Sequence, residues 1–379
     1  DMVQGGAGTT VNMNANEVIA NRALEIMGHQ RGEYQYCSPN DHVNCAQSTN
    51  DAYPSAFRYA FIRMNRELTA ELTKLVAALR KKGEEFNDSI KMGRTQLQDA
   101  VPMTSGQEFH AFANTLEDEI ANLNHNANLL YEINMGATAI GTGICSEPEY
   151  AEKCIAALRK ITGWDIKLAE DLVAATSDTT CMVGYSSALR RVAVKLNKIC
   201  NDLRLLGSGP RCGLHEFDLP ARQPGSSIMP GKVNPVIPEV MNQICYKVIG
   251  NDACVAMCCQ EAQMELNAME PTMAQCCFES AEIMMNGFDT LRVNCVDGIK
   301  ANEEQCRKYV QDSFGVVTAL NPVIGYKNST KIAKEAMATG RRVYDLVLEH
   351  GILTKEELDI ILSPENLIKP VKLDIKPRR

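Results

Sequence analysis

The chain has 379 residues, of which 45% are hydrophobic and 23% charged, a mixture typical of a soluble globular protein with ample material for a core. Its formal net charge of −8 argues against nucleic acid or an anionic membrane as the main partner, because both require a basic surface. No apolar run reaches the ~18–20 residues that span a bilayer, and the polar start DMVQGGAGTT is unlike a signal peptide. An anionic small molecule remains compatible, since one local Lys can outweigh a distant surface charge.

The elements predicted in chain order are helices. A short helix is expected at about 15–28, followed by a polar loop up to Asp51. Beyond Pro54, apolar residues recur every three or four positions as far as Leu79, which predicts a long amphipathic helix that ends near Gly83. The same spacing predicts long helices through 109–130 and 189–206, and two more at about 237–265 and 271–291. The last two carry Met, Cys and Ala on several faces, which indicates that they are buried all round.

Five long helices with almost no alternating apolar and polar residues predict an all-α fold, a helix bundle. Helices of this length commonly bury one another across subunits, so we expect an oligomer. Changes in composition near residues 48 and 304 predict three domains: a truncated N-terminal domain at 1–48, a central five-helix bundle at 49–303, and a small C-terminal helical domain at 304–379.

The fifteen cysteines do not indicate a disulfide scaffold, because such scaffolds are small and have little core. Cys245, Cys254 and Cys258 fall at apolar helical positions, so we predict reduced, buried thiols in a cytoplasmic protein. A structural metal site is not predicted, since the closely spaced cysteines are adjacent pairs without a nearby His.

One segment, GSSIMPGKVNP at 225–235, interrupts the long helices. Its Gly and Pro residues prevent regular helix, yet it contains two Ser, Lys232 and Asn234. It is not a phosphate-binding loop. Five residues, instead of four, lie between Gly225 and Gly231-Lys232, and Val233 stands where that motif has Ser or Thr. A plain connector rarely combines these side chains, so we predict a functional loop.

Three further polar clusters lie at predicted helix boundaries, at 8–14, 47–51 and 93–99. Each taken alone is typical of a helix cap or a turn. Together they offer hydroxyl and amide groups which, with helix N-termini and one Lys, suit the binding of carboxylates. The chain has no GxSxG motif and no His at metal-ligand spacing, so neither a serine-hydrolase triad nor a metal centre is predicted.

In this order, the segments GAGT-x-x-NMNANE, QSTND, GRTQLQDA, GATAIGTG and GSSIMPGKVNP resemble the aspartase/fumarase superfamily over essentially the whole chain. The details resemble its aspartase branch more than its fumarase branch. Gln96 follows Gly-Arg-Thr where fumarases have His, and Glu270-Pro271 and Asn321-Pro322 stand where fumarases have Arg-Pro and Asn-Thr. The resemblance implies a homotetramer whose bundle forms the core and whose active sites are shared among three subunits.

The resemblance also implies a carbon–nitrogen lyase that eliminates ammonia from L-aspartate to give fumarate. Ser226 matches the family's catalytic base, and we expect backbone N–H groups of the loop and Lys232 to activate it. The substrate-binding positions share hydroxyl, amide or ammonium side chains: Thr9, Ser48, Thr49, Asn50, Thr95, Gln96, Ser227, Lys232 and Asn234. No cofactor is implied, and these residues do not decide whether a divalent metal activates the enzyme.

Two departures from the family pattern bear on these expectations. The family normally has a further segment before GAGT, so the first domain is predicted to be mostly missing, which bears on folding and activity. Ser38 stands where fumarases place a His before Pro-Asn-Asp, so the secondary anion site of fumarases is predicted to be absent or altered. Two alternatives stay open: a fumarate hydratase, and a non-catalytic member with a structural role.

Overall fold

A computed structural model describes residues 2–378 of the chain. Most of them are helical, so the all-α prediction is confirmed. The helices are α1 (Thr9–Ile26), α2 (Thr49–Glu85), α3 (Ser105–Ala127), α4 (Tyr150–Thr162), α5 (Leu172–Ser177), α6 (Thr180–Leu206), α7 (Val236–Gln260), α8 (Glu270–Asn294), α9 (Glu303–Asp312), α10 (Asn321–Thr339), α11 (Val343–Glu349), α12 (Lys355–Ile361) and α13 (Pro364–Leu367).

Helix α2 begins at Thr49, five residues before Pro54, whereas the predicted helix begins beyond Pro54, so the observed helix includes this proline. Proline has no N–H, so the carbonyl of Asn50, four residues earlier, lacks its helical partner. The side-chain amide of Asn134 donates to that carbonyl at 3.0 Å instead. This substitute hydrogen bond explains how the helix continues through a residue that normally ends one.

The described residues form two compact units. The first contains residues up to 73, 116–198 and 240–289, and the second contains 74–115, 199–239 and those from 290 onward. The division cuts across the long helices, whereas the three predicted domains follow chain order. The three-domain division stays a prediction.

The first unit has an aliphatic and aromatic core that also contains a buried acid. Phe61 of α2 stacks on Phe278 of α8, with ring centres 4.1 Å apart. Glu119 of α3 is fully buried, and its carboxylate binds Lys195 at 2.5 Å and Arg191 at 2.8 Å, both on α6. A buried carboxylate needs such partners, because an unpaired buried charge is strongly destabilising.

Helix α7 is less enclosed in the single chain than its sequence indicated. Val240, Tyr246 and Met257 expose 40%, 55% and 56% of their surface, so the prediction of burial on every side is wrong for α7 in the isolated chain. Apolar side chains repeat on several faces of this helix, and one chain covers only some of those faces. This exposure bears on the oligomer proposed below.

The second unit contains a β-hairpin where the sequence predicts only a polar cluster at a helix boundary, at 93–99. Strands β1 (Ile90–Thr95) and β2 (Gln98–Thr104) pair antiparallel, with Thr95 opposite Gln98. Ile90 and Met92 pack against the apolar residues of the C-terminal helices, among them Leu320 and Leu346. The alternation of Ile90, Lys91 and Met92 is too short to predict β1, because the strand register shifts between Met92 and Arg94, where Gly93 lies.

The remaining strands described are two residues long. Strand β3 (Glu132–Ile133) pairs parallel with β4 (Lys167–Leu168), and β5 (Phe217–Asp218) pairs antiparallel with β6 (Lys300–Ala301). In the second unit Phe217 packs edge-on against Phe109, with ring centres 5.4 Å apart. These short pairings fix where connecting segments leave the helices.

All fifteen cysteines carry free thiols, but not all are buried as predicted. Cys245 is buried, whereas Cys254 and Cys258 are partly exposed, and Cys45, Cys145 and Cys212 are exposed. Within residues 2–378, no helix has the length and apolar character required to cross a membrane.

Candidate active site

The GSSIMPGKVNP loop is irregular and closed at its base. The Gly225 N–H donates to the Lys232 carbonyl at 2.8 Å, and the Asn234 side-chain amide donates to the Gly225 carbonyl at 2.8 Å. A side chain at position 225 would place its Cβ 2.5 Å from the Lys232 carbonyl oxygen, so glycine is required there by close approach. The two ends of the loop are therefore held together, and Asn234 is one of the groups that hold them.

Ser226 lies just inside this closure, and its hydroxyl oxygen faces backbone donors. The N–H groups of Ile228 and Met229 both donate to Ser226 Oγ at 3.1 Å. N–H groups aimed at a hydroxyl oxygen stabilise it more strongly when it is ionised. The same two N–H groups would also face an ionised Ser226 oxygen, which is compatible with the role as a base that the sequence resemblance implies.

A cleft of about 640 Å³ lies along the second half of the loop in the second unit. Residues 230–235 form one wall, including Lys232 and Asn234, and His215 and Asp218 contribute to the other. His215 binds Asp218 Oδ1 at 2.7 Å and the Asn302 side-chain amide at 3.2 Å. His215 is not among the site residues predicted from the sequence, because nothing local distinguishes it from the other histidines.

Thr95 and Gln96 lie at the tip of the β1–β2 hairpin. Gln96 and Leu97 form a two-residue turn with φ of +54° and +63°, as in a type I′ turn. Such turns favour Asn and Gly, so two long side chains here keep the backbone in a strained conformation. Both candidate residues are exposed.

A buried group of charges supports the hairpin within the second unit. Glu216 is fully buried and binds Arg94 and Lys91, at 2.5 and 2.9 Å, while Lys91 also binds Glu108 at 2.7 Å. Burial acts to lower the pKa of Lys91, but the two carboxylates outweigh it and the pKa is raised. The residue before Thr95 is thus anchored to the segment that leads into β5.

In the first unit, Thr9 is the first residue of α1 and Thr49 the first residue of α2. Gly8 precedes α1 with φ of +91°, and a Cβ there would lie 2.6 Å from the ring of Tyr53 on α2, so the start of α1 rests on α2. One turn into α1, the Asn12 amide donates to Thr49 Oγ1 at 3.1 Å. The structure therefore brings the predicted clusters at 8–14 and 47–51 together.

Ser48 and Asn50 lie at the N-terminus of α2, where unpaired backbone N–H groups and the helix dipole attract anions. Ser48 Oγ accepts the N–H of Asn50 at 3.2 Å, and the carboxylate of Asp51 accepts the N–H of Ser48 at 2.9 Å. This reciprocal arrangement resembles a capping box. The interpretation of the cluster as a helix cap and its interpretation as a binding site are thus both compatible with its geometry.

A buried acid lies at the start of α8 in the same unit. Glu270 is only 2% exposed, and burial raises its pKa to about 8, although Arg58 opposes this shift. Burial, with a contribution from Glu270, likewise raises the pKa of Tyr53 to about 12. Glu270 is therefore largely protonated at neutral pH.

The ten candidate residues divide between the two units. The first unit holds Thr9, Ser48, Thr49 and Asn50; the second holds Thr95, Gln96, Ser226, Ser227, Lys232 and Asn234. Ser227 and Lys232 are exposed on the loop.

Ser38, at the altered anion position, begins a π-helical turn over Pro39–Val43 and accepts the N–H of Asp41 at 3.1 Å. Across residues 2–378, no three His, Cys, Asp or Glu side chains are grouped to hold a metal ion.

Known proteins share both the sequence and this architecture. The profile described as Lyase matches residues 1–250, and the profile described as Fumarase C C-terminus matches residues 316–369. The aspartate ammonia-lyase of Pseudomonas canavaninivorans is 56% identical over 377 residues, which cover 99% of this chain and 80% of that protein.

Two solved structures resemble the chain closely. The fumarate lyase:delta crystallin of Brucella melitensis, solved bound to cobalt, has a TM-score of 0.94 and 52% identity, covering 98% of this chain and 80% of that one. The class II fumarase of Schistosoma mansoni has a TM-score of 0.90 but 34% identity, covering 96% and 79%. The matching profile and the shared helical bundle place the chain among the lyases. The chain belongs to the aspartase/fumarase superfamily, in its aspartate ammonia-lyase branch.

Proposed function

We propose that the chain catalyses the reversible elimination of ammonia from L-aspartate to give fumarate. The observation that carries the proposal is the pair of backbone N–H groups on Ser226 Oγ inside a loop closed by Gly225 and Asn234. The relative from P. canavaninivorans, an aspartate ammonia-lyase at 56% identity, supports the choice of substrate. No organic cofactor forms part of the proposal.

In the proposed reaction, ionised Ser226 removes a proton from the carbon beside the side-chain carboxylate of L-aspartate. The electron pair of that C–H bond moves into the carboxylate, which becomes an enediolate. Collapse of the enediolate forms the carbon–carbon double bond and breaks the bond to the protonated amino group, whose nitrogen keeps the electron pair, so neutral ammonia leaves and fumarate remains. Ser226 then holds the abstracted proton and releases it before the next turnover.

The enediolate requires donors that are already in place when its charge develops. We assign Thr9, Ser48, Thr49 and Ser227 to this carboxylate. In comparable oxyanion sites each donor contributes about 3–4 kcal/mol to transition-state stabilisation. The N-terminus of α2, which carries Ser48 and Thr49, adds positive potential at the same place.

The other groups hold the remainder of the substrate. We assign Lys232, Asn234 and Thr95 to the second carboxylate, Asn50 to the neighbourhood of the amino group, and Gln96 to the substrate-binding set. Asn234 already donates one N–H to the Gly225 carbonyl, which leaves its other N–H for the substrate. Gln96 on the hairpin tip replaces the His of fumarases.

Four copies of the chain are proposed to form a homotetramer with active sites shared among three subunits. The exposed apolar side chains of α7, Val240, Tyr246 and Met257, support burial against another copy. A cytoplasmic location belongs to the same proposal and is supported by the free thiols. Light scattering of the purified chain measures the assembly, and assays with a chelator or with added Mg²⁺ measure any activation by a divalent cation.

The experiment that tests the function follows fumarate formation from L-aspartate and, separately, from L-malate. We expect turnover of L-aspartate and none of L-malate. Turnover of L-malate alone would establish the fumarate hydratase alternative. Loss of both activities in a folded tetramer would favour the non-catalytic alternative.

The variant Ser226→Ala tests the base assignment. We expect the rate to fall by at least about 10²–10⁴-fold, the usual contribution of a positioned base, with secondary structure and assembly unchanged. Ser177→Ala, at the end of α5, is the matched control, because the Ser177 hydroxyl donates only to a backbone carbonyl nearby at 3.3 Å. Near-normal turnover by Ser226→Ala would refute the assignment.

A further inference from the structure

Asp51 is a fully buried carboxylate in the first unit, and its hydrogen-bond partners among the described residues are backbone N–H groups. One oxygen accepts the N–H of Ser48 at 2.9 Å. The other accepts the N–H of Gly136 at 3.1 Å and of Thr138 at 2.8 Å. A single side chain thus joins the start of α2 to a turn more than eighty residues away along the sequence.

That turn, within the GATAIGTG segment, has a backbone that needs support. Gly136, Thr138 and Gly141 have φ of +97°, +55° and +101°, the left-handed region that disfavours a residue such as Thr. A Cβ on Gly136 would lie 2.5 Å from that of Ala151, so the turn is also tightly packed. Because the Gly136 and Thr138 N–H groups are buried here, they would be left without an acceptor if the carboxylate were removed.

Two more hydrogen bonds connect the same segments. The side-chain amide of Asn50 donates to the Ala139 carbonyl at 2.8 Å. The side-chain amide of Asn134 donates to the Asn50 carbonyl at 3.0 Å, the carbonyl that Pro54 leaves without a helical partner. We call these contacts of Asp51, Asn50 and Asn134 with the opposite segment the Asp51 clamp.

We propose that Asp51 is a positioning residue, which through the Asp51 clamp holds Ser48, Thr49 and Asn50 in the orientation that binds substrate. The proposal rests on the proposed function, because it takes these three residues as substrate contacts. Asp51 lies beneath them and does not itself touch the substrate.

The ionised carboxylate suits this task better than an amide of the same shape. Its two oxygens accept all three N–H groups, whereas an amide has one acceptor oxygen and would turn its own N–H₂ toward N–H donors. Burial raises the pKa of Asp51, and the hydrogen bonds from Ser48, Thr138 and Gly136 oppose that shift. Asp51→Asn therefore keeps the size of the side chain and removes its acceptor capacity.

The test compares Asp51→Asn with Glu119→Gln in the full chain. Glu119 is a fully buried carboxylate of the same unit, bound to Arg191 and Lys195 instead of to the clamp, so its variant controls for the general cost of neutralising a buried acid. Hydrogen–deuterium exchange of peptides covering 48–52 and 134–141 measures the clamp. Steady-state kinetics with L-aspartate measure its consequence.

For Asp51→Asn we expect faster exchange in both peptides and a fall in kcat/KM of about 10–100-fold, the range for losing hydrogen bonds to a charged group, carried mainly by a higher KM. For Glu119→Gln we expect a lower Tm with exchange in those peptides and KM unchanged. If Asp51→Asn does not fold, Asn134→Ser removes one of the clamp's hydrogen bonds together with the bond from Asn134 to Thr176 Oγ1, and a KM increase of roughly threefold or more is expected from the loss in the clamp.

The two measurements distinguish a failure of the Asp51 clamp from a failure of the proposed function. Unchanged exchange at 134–141 in the variant would overturn the clamp, whatever the substrate is. Faster exchange with unchanged KM would overturn the positioning role. A wild-type chain that does not turn over L-aspartate would refute the proposed function, while the exchange measurement would still decide whether the clamp exists.

Discussion

A methyl group at position 225 directly tests the closure that holds the two ends of the GSSIMPGKVNP loop together. In Gly225→Ala the new Cβ would lie 2.5 Å from the Lys232 carbonyl oxygen, 2.8 Å from its carbon and 3.0 Å from the Asn234 nitrogen. All three are backbone atoms, so no flexible side chain can move aside. The base must open.

The size of the effect follows from what the opening breaks. The two closing hydrogen bonds, from the Gly225 N–H and the Asn234 amide, each contribute about 0.5–1.5 kcal/mol, so the chain should lose about 1–3 kcal/mol at most. The catalytic cost is larger, because a shift of about 1 Å in positioned groups lowers a rate roughly 10²-fold. We therefore expect kcat/KM for L-aspartate to fall about 10²-fold, together with a Tm lowered by only a few degrees.

The assay follows the ultraviolet absorbance of fumarate, alongside a thermal melt. Gly231→Ala in the same loop is the matched control, since a Cβ at this position meets no heavy atom within 4 Å and only the positive φ of +80° opposes it. Its rate should fall much less than that of Gly225→Ala. Equal losses in the two variants, or an unchanged rate in Gly225→Ala, would refute the argument that the closed base positions Lys232 and Asn234.

Two further predictions concern stability. Glu270, whose pKa burial raises from 4.5 to about 8, keeps its proton in the folded state while the unfolded chain ionises. The unfolding free energy should therefore decrease as pH rises from 4.5 to 8, by up to about 5 kcal/mol. Urea titrations at pH 5 and pH 8 measure this decrease, and Glu270→Gln should remove it. The same pH dependence in both proteins would contradict the prediction. Leu97→Gly relieves a φ of +63° on a side chain that is 71% exposed, and should stabilise the chain by about 0.5–1 kcal/mol; a lower Tm would show that Leu97 makes a contact that the turn geometry does not explain.

The long helices could be predicted from the sequence because their apolar residues repeat every three or four positions over many turns. The hairpin could not, since the alternation in β1 stops after Met92 at a shift of register, and the ion pairs of Lys91 with Glu108 and Glu216 that support the strand join residues distant in sequence. Its turn was equally hidden, because Gln96 and Leu97 are not the residues that such turns favour.

For the candidate site, residue types and motif order led to the positions, whereas their geometry required the structure. The closure between Gly225 and Lys232 is a backbone contact, which no side chain reveals. Asp51 lies within the QSTND segment that was singled out, but its local pattern matches an ordinary helix cap. Only the distant N–H groups of Gly136 and Thr138 distinguish it from one.

The hydrogen bond between Gly225 and Lys232 closes the loop at its two ends, so the number of residues between them can vary while the closure stays in place. Lengthening a flexible loop costs little, about 0.6 kcal/mol for each doubling of its length. Insertions near Met229 or Pro230 should therefore be tolerated by the fold, whereas an insertion between Lys232 and Asn234 would break the hydrogen bonds that close the loop. Under the proposed function, the segment between Ser226 and Met229 keeps its length, because added residues would carry away the N–H groups that face the Ser226 oxygen.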